Sequence, residues 1–353
     1  MHEKKYQICQ VKKGLNNAGS KANNDCMVIA SKLGFQNVNI IFFSEKDGIL
    51  AKIERQIGYV ISWIKAFCKV DGVLLLQHPC HYKQIGRRCS LHLLKKLKKI
   101  KVISVVHDVE ELRKMLYNRM YQKEYENMMQ IADVLIVHNK KMKQFFLEKG
   151  VPEEKIVVLE IFDYLLEKNI IREKKFGRCI VIAGNLDSKK SPYIGNLSKL
   201  KQIEVKLYGP NFDARLGETE NIQYCGSMKP DELPAYLNEG FGLVWDGNSI
   251  DTCSGETGEY LRYNNPHKLS LYLASGLPVV IWREAAEADF VKKYGVGICV
   301  SSLKEAEQKI MDMDEITYNT LVSNVAKISD KLREGYFMKN AIEKAEKIIY
   351  KTP

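Results

Sequence analysis

The chain has 353 residues, 45% of them hydrophobic and 27% charged, a balance that excludes disordered and fibrous polymers and leaves room for two hydrophobic cores. Lys and Arg outnumber Asp and Glu by 54 to 43, a net charge of +11, which favours anionic partners such as nucleotides, nucleic acid or an acidic membrane face without choosing among them. No run approaches the ~20 uninterrupted apolar residues of a membrane span, and the first residues lack the apolar core of a secretory signal, so a cytoplasmic location is expected.

Short β-branched runs alternate with longer amphipathic stretches, which predicts βαβ units around parallel sheets and hence an α/β fold. In the first half the predicted strands are residues 6–11, 37–43, 73–77, 101–106, 133–138 and 155–159. Predicted helices lie between them at 23–33, 49–69, 85–99, 110–130 and 139–149. Gly150-Val151-Pro152 closes the last of these helices. A charged, non-periodic segment at 166–178 reads as a linker between a domain at 1–165 and a second at 179–330. In that second domain the predicted strands are 179–183, 205–208, 222–225, 241–244 and 278–281, with helices near 191–200, 230–238, 266–275, 284–294 and 302–311. A terminal helix within 331–353 is expected to pack back toward the first domain. Two Rossmann-like domains usually enclose a cleft.

The nine cysteines are odd in number, include no CxxC pair and sit largely in apolar segments, so they read as reduced thiols. His78-Pro79-Cys80-His81 with Cys89 and His92 has the ligand types of a zinc site but not the spacing of a zinc module. No metal site is therefore expected, and His78 and His81 are placed toward the acceptor side. The charge finds no RNP-type, helix-turn-helix or zinc motif beside it, so a nucleic-acid partner is not expected.

Gly184-Asn185-Leu186-Asp187-Ser188-Lys189-Lys190-Ser191-Pro192 lies between a buried strand and a helix start. Backbone N–H groups and lysines at such a junction suit a phosphate, though an ordinary polar loop reads equally well. In Asn265-Pro266-His267-Lys268, Asn265 is expected to cap a helix that begins with Pro266. Lys268 then opposes the helix dipole at a cost of ~0.3–1 kcal/mol, which an anion held by both lysine and helix end would offset. A solvated lysine is the plainer reading.

The helix followed by Ala274-Ser275-Gly276-Leu277-Pro278-Val279-Val280 resembles the GT-B glycosyltransferases. More narrowly, Asn17-Ala18-Gly19-Ser20-Lys21-Ala22, His107-Asp108-Val109-Glu110-Glu111-Leu112-Arg113, Ala183-Gly184-Asn185-Leu186 and Trp245-Asp246-Gly247 are similar to one subgroup. That subgroup holds bacterial glucosyltransferases extending GlcNAc on serine-rich adhesins, and β-1,6-galactofuranosyltransferases. The resemblance runs essentially the whole chain. It implies a GT-B fold with two Rossmann-like domains facing each other across a cleft, and transfer of a hexose from a UDP-sugar to a hydroxyl of a glycan or glycoprotein, inverting and without metal or other cofactor. UDP would be held by Asn185, Lys189, Ser227, Asn265, His267 and Lys268 in the second domain.

Inversion requires a general base. Asp108, beside His107 at the end of the fourth strand, is the candidate, although it could equally cap the helix from Glu110. In this fold the loop with Asn16, Asn17 and Gly19 would contact substrate, though a merely flexible polar loop reads equally well. The polar stretch 246–263 is long enough for a lid. Lys95-Lys96-Leu97-Lys98-Lys99-Ile100-Lys101 could touch anionic lipid or simply be a solvated face. The resemblance also implies a homo-oligomer. A UDP-sugar epimerase of the same fold and a non-catalytic nucleotide-sugar-binding partner of another transferase remain alternatives.

Overall fold

The computed structural model describes residues 4–12, 21–42, 48–114, 118–167, 172–217 and 219–351. The expected loop residues Asn16, Asn17 and Gly19 lie outside them. In chain order the first half comprises β1 (Lys5–Lys12), α1 (Lys21–Lys32), β2 (Gln36–Phe42), α2 (Ile49–Lys69), β3 (Val73–His78), α3 (Arg87–Lys98), β4 (Lys101–Val106), α4 (Glu110–Arg113), α5 (Arg119–Ile131), β5 (Val134–Val137), α6 (Lys140–Glu148) and β6 (Ile156–Val158). The second half comprises β7 (Lys175–Ala183), β8 (Glu204–Tyr208), β9 (Ile222–Tyr224), β10 (Glu239–Val244), α7 (Gly255–Tyr260), α8 (His267–Ala274), β11 (Val279–Trp282), α9 (Ala288–Tyr294), β12 (Gly297–Val300), α10 (Leu303–Met311), α11 (Glu315–Glu334) and α12 (Tyr336–Lys351).

Two compact units result: residues 1–137, 143–159 and 338–353 form one, and residues 138–142 and 160–337 the other. Each holds a six-stranded parallel sheet. The first has order β2-β1-β3-β4-β5-β6 and the second β12-β11-β10-β7-β8-β9. The central strands β4, β5 and β11 read as nearly unbroken apolar runs because they are buried on both faces. The core of the first unit packs Tyr6, Val38 and Leu74 of the sheet against Tyr59 and Trp63 of α2 and Leu91 and Leu94 of α3. The end of α12 joins this unit through an ion pair of Lys5 with Glu346 at 2.5 Å.

Several elements differ from the sequence-based expectation. Residues 175–178 of the expected linker are the start of β7, since Lys175 and Gly177 continue the extended run into Cys179. The strand β12, Gly-Ile-Cys-Val, is additional; four residues after a helix carry too little alternation to stand out. The expected helix at 110–130 is two helices, α4 and α5, the second newly capped by the Asn118 side chain on the N–H groups of Met120 and Tyr121. The segment 191–200 winds as a 3-10 helix with Pro192 at its first position. The stretch 246–263 carries α7 and is anchored by buried Ile250, Cys253 and Tyr260, because Gly247 and Gly258 let its two ends close on each other.

The basic run at 95–101 is partly structural. Lys95 pairs with Asp133 at 2.7 Å, and Lys98 donates to the carbonyls of Phe67, Cys68 and Val70 that α2 leaves open at its C-terminus. No described helix is long and apolar enough to cross a membrane.

Candidate active site

In an open parallel sheet, ligands bind beyond the strand C-termini where the strand order reverses. In the second unit the chain runs outward from β7 to β8 and β9, then returns to place β10 on the other side of β7. The reversal therefore lies between β7 and β10, and the segments leaving them are joined there, Ser191 bonding Asp246 and the Tyr193 N–H the Gly247 carbonyl.

Packing fixes those loops. Gly242 of β10 has no side chain, so the Tyr272 ring of α8 lies directly on the strand. Its hydroxyl accepts the Ala183 N–H at 2.8 Å, which ties α8 to the exit of β7. Gly209 has φ +149°, and a Cβ there would collide with the Gly184 carbonyl; only glycine lets the exits of β7 and β8 approach so closely. The Asp246 carboxylate accepts from the Ser191 hydroxyl at 3.0 Å and from the Gly247 N–H at 2.8 Å.

Helix α8 begins at His267 with Pro266 at its N-cap, no side-chain cap and no acidic residue in its first turn. Lys268, in that turn and half-buried, donates to the Trp245 carbonyl at 2.9 Å. Its ammonium is thereby held at the exit of β10. Lys189 is exposed, its N–H bonded to the Asp187 carboxylate at 2.9 Å. The Asn185 side-chain oxygen accepts from the Asp187 N–H and from the Asn211 amide. Ser227 is exposed in the loop after the edge strand β9, which Gly209 joins to this edge by donating to the Gly226 carbonyl at 2.9 Å. His267 packs its ring at 5.0 Å from that of Tyr164.

Asn265 departs from the expectation. It caps no helix: its side-chain oxygen accepts from Asn139 at 2.7 Å, and its amide donates to the carbonyls of His138 and Glu160. Its backbone N–H donates to His138 Nδ1 at 2.9 Å. Buried with every side-chain polar atom engaged inside the protein, it is a structural tie rather than a ligand contact. Glu287 adjoins this network, wholly buried, and desolvation pushes its carboxyl well above the usual carboxylate range despite a hydrogen bond from Asn139. The sequence reading missed Glu287 and Tyr272. Glu287 has no local signal, whereas the small Gly242 opposite a large residue on the motif helix was a usable one.

The first sheet reverses between β1 and β3. At the exit of β3, the Gln77 side-chain oxygen lies 2.8 Å from His107 Nε2. Asp108 does not cap α4, whose N-cap is Val109 without a side-chain bond; its carboxylate instead pairs with Arg113 at 2.9 Å, and Arg113 also reaches Glu110 at 3.2 Å. A cavity of 410 Å³ nearby is lined by His78, Glu110, Glu111, Tyr121, Tyr125 and Glu126, among others. Desolvation lowers the buried His78 imidazole to about 4, so it is neutral at physiological pH. His81 Nδ1 lies 3.0 Å from the Tyr121 hydroxyl and His92 Nε2 3.0 Å from the Asn127 amide oxygen. Among the described residues, no three His, Cys, Asp or Glu side chains gather in metal-binding geometry.

Comparison with known proteins agrees with the two-unit layout. Residues 5–161 match the N-terminal domain, and residues 180–345 the C-terminal domain, of the glucosyltransferase 3-like family. The chain is 30% identical over 336 residues to the β-1,6-galactofuranosyltransferase WbbI of Escherichia coli (strain K12), covering 92% of this chain and 93% of that protein. It is 27% identical over 325 residues to glucosyltransferase 3 of Streptococcus gordonii, covering 91% and 92%. Among solved structures, Anabaena HepE in complex with UDP and glucose superposes with a TM-score of 0.60 at 11% identity, over 99% of both chains. The lipopolysaccharide outer core galactosyltransferase WaaB in its apo form gives 0.62 at 9% identity, again over 99% of both chains. The chain thus belongs to the glucosyltransferase 3-like family and is a glycosyltransferase of GT-B fold.

Proposed function

We propose that the protein transfers a hexose, glucose or galactose in pyranose or furanose form, from a UDP-sugar to a hydroxyl of a glycan or glycoprotein. The observation that carries this reading is the coincidence, in one unit, of the topological switch with Lys268 in the acid-free first turn of α8. A diphosphate there meets backbone N–H donors and a held ammonium, with Lys189 as a second, solvent-facing cation. Positive groups aimed at the leaving diphosphate stabilise the charge that grows on it as the glycosidic bond breaks. On this reading they serve where other enzymes use a divalent ion, so catalysis does not depend on added metal.

The first unit takes the acceptor. Asp108 is the proposed general base: it removes the proton from the acceptor hydroxyl as that oxygen attacks the anomeric carbon, while UDP leaves from the opposite side with inversion. Arg113 positions the carboxylate. The names of the relatives support the hexosyl donor, and the neighbour holding UDP and glucose supports the uridine nucleotide.

The test is titration calorimetry of UDP, UDP-glucose, UDP-galactose and UDP-galactofuranose in EDTA, followed by product analysis with and without acceptor. Micromolar UDP binding in EDTA and acceptor-dependent sugar transfer are expected. Conversion of the UDP-sugar without acceptor would identify an epimerase instead, and binding without any turnover a non-catalytic partner.

A further inference from the structure

Helix α2 is apolar on two sides. One side buries Ala51, Tyr59, Trp63 and Ala66 in the core. On the other, Ile49, Ile53, Ile57, Ile61 and Ile64 form a stripe, each between 44% and 78% exposed. It extends over about 24 Å of helix at 1.5 Å per residue. Isolated exposed apolar residues are ordinary, whereas a contiguous band of this length marks a surface that something covers.

The band is preformed. The loop before α3 is pinned to α2 by Gln56, whose amide donates to the Lys83 carbonyl at 2.8 Å and whose oxygen accepts the Ile85 N–H at 2.9 Å. Trp63 donates to the Gln84 side chain at 2.9 Å. Ile85 is thereby held beside the stripe, and the two enclose an apolar groove of 510 Å³.

This groove runs into positive charge. It shares Lys52 and Gln56 with a depression of 250 Å³ that also contains Arg55, and this in turn shares Tyr82 and Lys83 with a cavity of 550 Å³. The walls of the cavity carry Lys83, Arg87, Arg88, Arg119 and Lys123. Arg87 is consumed by Glu124 at 2.8 Å; although desolvation opposes it, that arginine keeps the Glu124 carboxyl below its ordinary range. The other four cations have no acidic counterpart in the lining besides Glu124.

Two occupants compete for such a face. A second copy related by a twofold axis would set the patch against itself, gathering Lys52, Arg55 and Lys83 of both copies around one seam with Glu54 the one acidic residue of α2. Like charges there oppose pairing. An anionic bilayer matches both halves of the face, apolar band to acyl boundary and cations to phosphates. We propose that α2 and the adjoining basic cavity form a docking surface for an anionic lipid membrane, the isoleucines entering the headgroup–acyl boundary and Lys83, Arg88, Arg119 and Lys123 meeting lipid phosphates. This surface differs from the basic run at 95–101, and the proposal does not depend on the donor chemistry above.

The experiment is co-sedimentation of the full chain with vesicles of phosphatidylcholine alone and of phosphatidylcholine with about one-third phosphatidylglycerol, at low and high salt. Partition to the anionic vesicles should be at least tenfold stronger and weaken with salt, each cation near the surface adding roughly 1 kcal/mol, about a fivefold factor. Both Ile53→Glu/Ile57→Glu and Arg119→Glu/Lys123→Glu should lower that partition at least tenfold with unchanged circular dichroism; Ile57→Ser replaces the first pair if it does not fold. Equal binding to both vesicle types, no binding, or partition indifferent to these changes overturns the proposal. A wild-type dimer that the isoleucine variant dissociates, with vesicle binding unaltered, would assign the face to a second copy.

Discussion

Replacing Lys268 by methionine isolates the cation at the exit of β10. The substitution keeps an unbranched stem suited to a helix and removes only the ammonium. In the free protein that ammonium bonds the Trp245 carbonyl, so the variant forfeits about 1 kcal/mol of stability and a few degrees of melting temperature at most. The loss toward a diphosphate is larger. Two unit charges 4 Å apart at an effective dielectric of 20 attract by about 4 kcal/mol, and part of this is spent desolvating a half-buried lysine. The net worth of a hydrogen bond to a charged group, about 1.5–3 kcal/mol, is the better guide. It corresponds to a rise of roughly 10- to 150-fold in the Kd for UDP. Calorimetry of UDP against Lys268→Met, with a melting curve alongside, reads both effects, and Lys268→Arg should recover part of the affinity. If the methionine variant is folded and binds UDP as the parent does, the diphosphate is not at α8 and the assignment of this crevice fails.

Asp108→Asn should reduce turnover by about 10²–10⁴-fold while UDP affinity stays within twofold, measured by product formation and calorimetry; near-parental turnover moves the base to another group. Asn265→Ala should act on folding, losing about 2–4 kcal/mol in denaturant melts as the carbonyls of His138 and Glu160 lose their donor, and an unchanged melt with impaired UDP binding would restore it as a ligand contact. Buried His78 has its folded value lowered to about 4 from an unfolded value of about 6.5. Its contribution is therefore complete above pH 6.5 and lost as pH falls toward 4, amounting to about 2 kcal/mol between pH 7 and 5; His78→Gln should flatten that slope in urea melts of the protein. Glu287, raised instead, has the opposite sign: the folded state holds a proton that the unfolded chain releases above about pH 4.5, so it costs stability as pH rises. Glu287→Gln should stabilise the protein at pH 7, with no gain at pH 4, as urea melts at the two pH values would show.

The strands were legible because parallel strands covered on both faces are dense in β-branched residues. Asn265 was misread for a physical reason. An Asn before Pro and a helical pattern is the local signature of a cap, but the partners that outbid this role, His138, Asn139 and Glu160, are more than a hundred residues away. Asp108 shows the same limit on a shorter scale, the cap role that was its alternative reading displaced by Arg113 five residues on. Lys268 stood out in the sequence because the signal was a local conflict, a cation at the positive end of a helix. The α2 stripe was visible as an amphipathic pattern, yet sequence periodicity cannot tell an outward face from an inward one when both are apolar.

The two crevices differ in charge in the way the proposed reaction requires. Removing a hydroxyl proton needs a general base, and in the first unit the segment after β4 carries Asp108, Glu110 and Glu111, with Arg113 bonded to the first two. Releasing UDP is helped by positive groups, and the switch point of the second sheet is followed by Lys189, Lys190 and Lys268, while the Asp187 carboxylate accepts the Lys189 N–H and the Asp246 carboxylate is occupied by Ser191 and Gly247. Had a metal ion been the design's route to a stable leaving group, Asp246 should be left unbonded and aimed into the crevice with a second carboxylate beside it. Asp246 instead fastens the loop after β10 to the segment after β7, and so sets where Lys268 and the helix end stand. On the proposed reading the protein's own cations neutralise the leaving group, and EDTA should leave the rate of transfer unchanged.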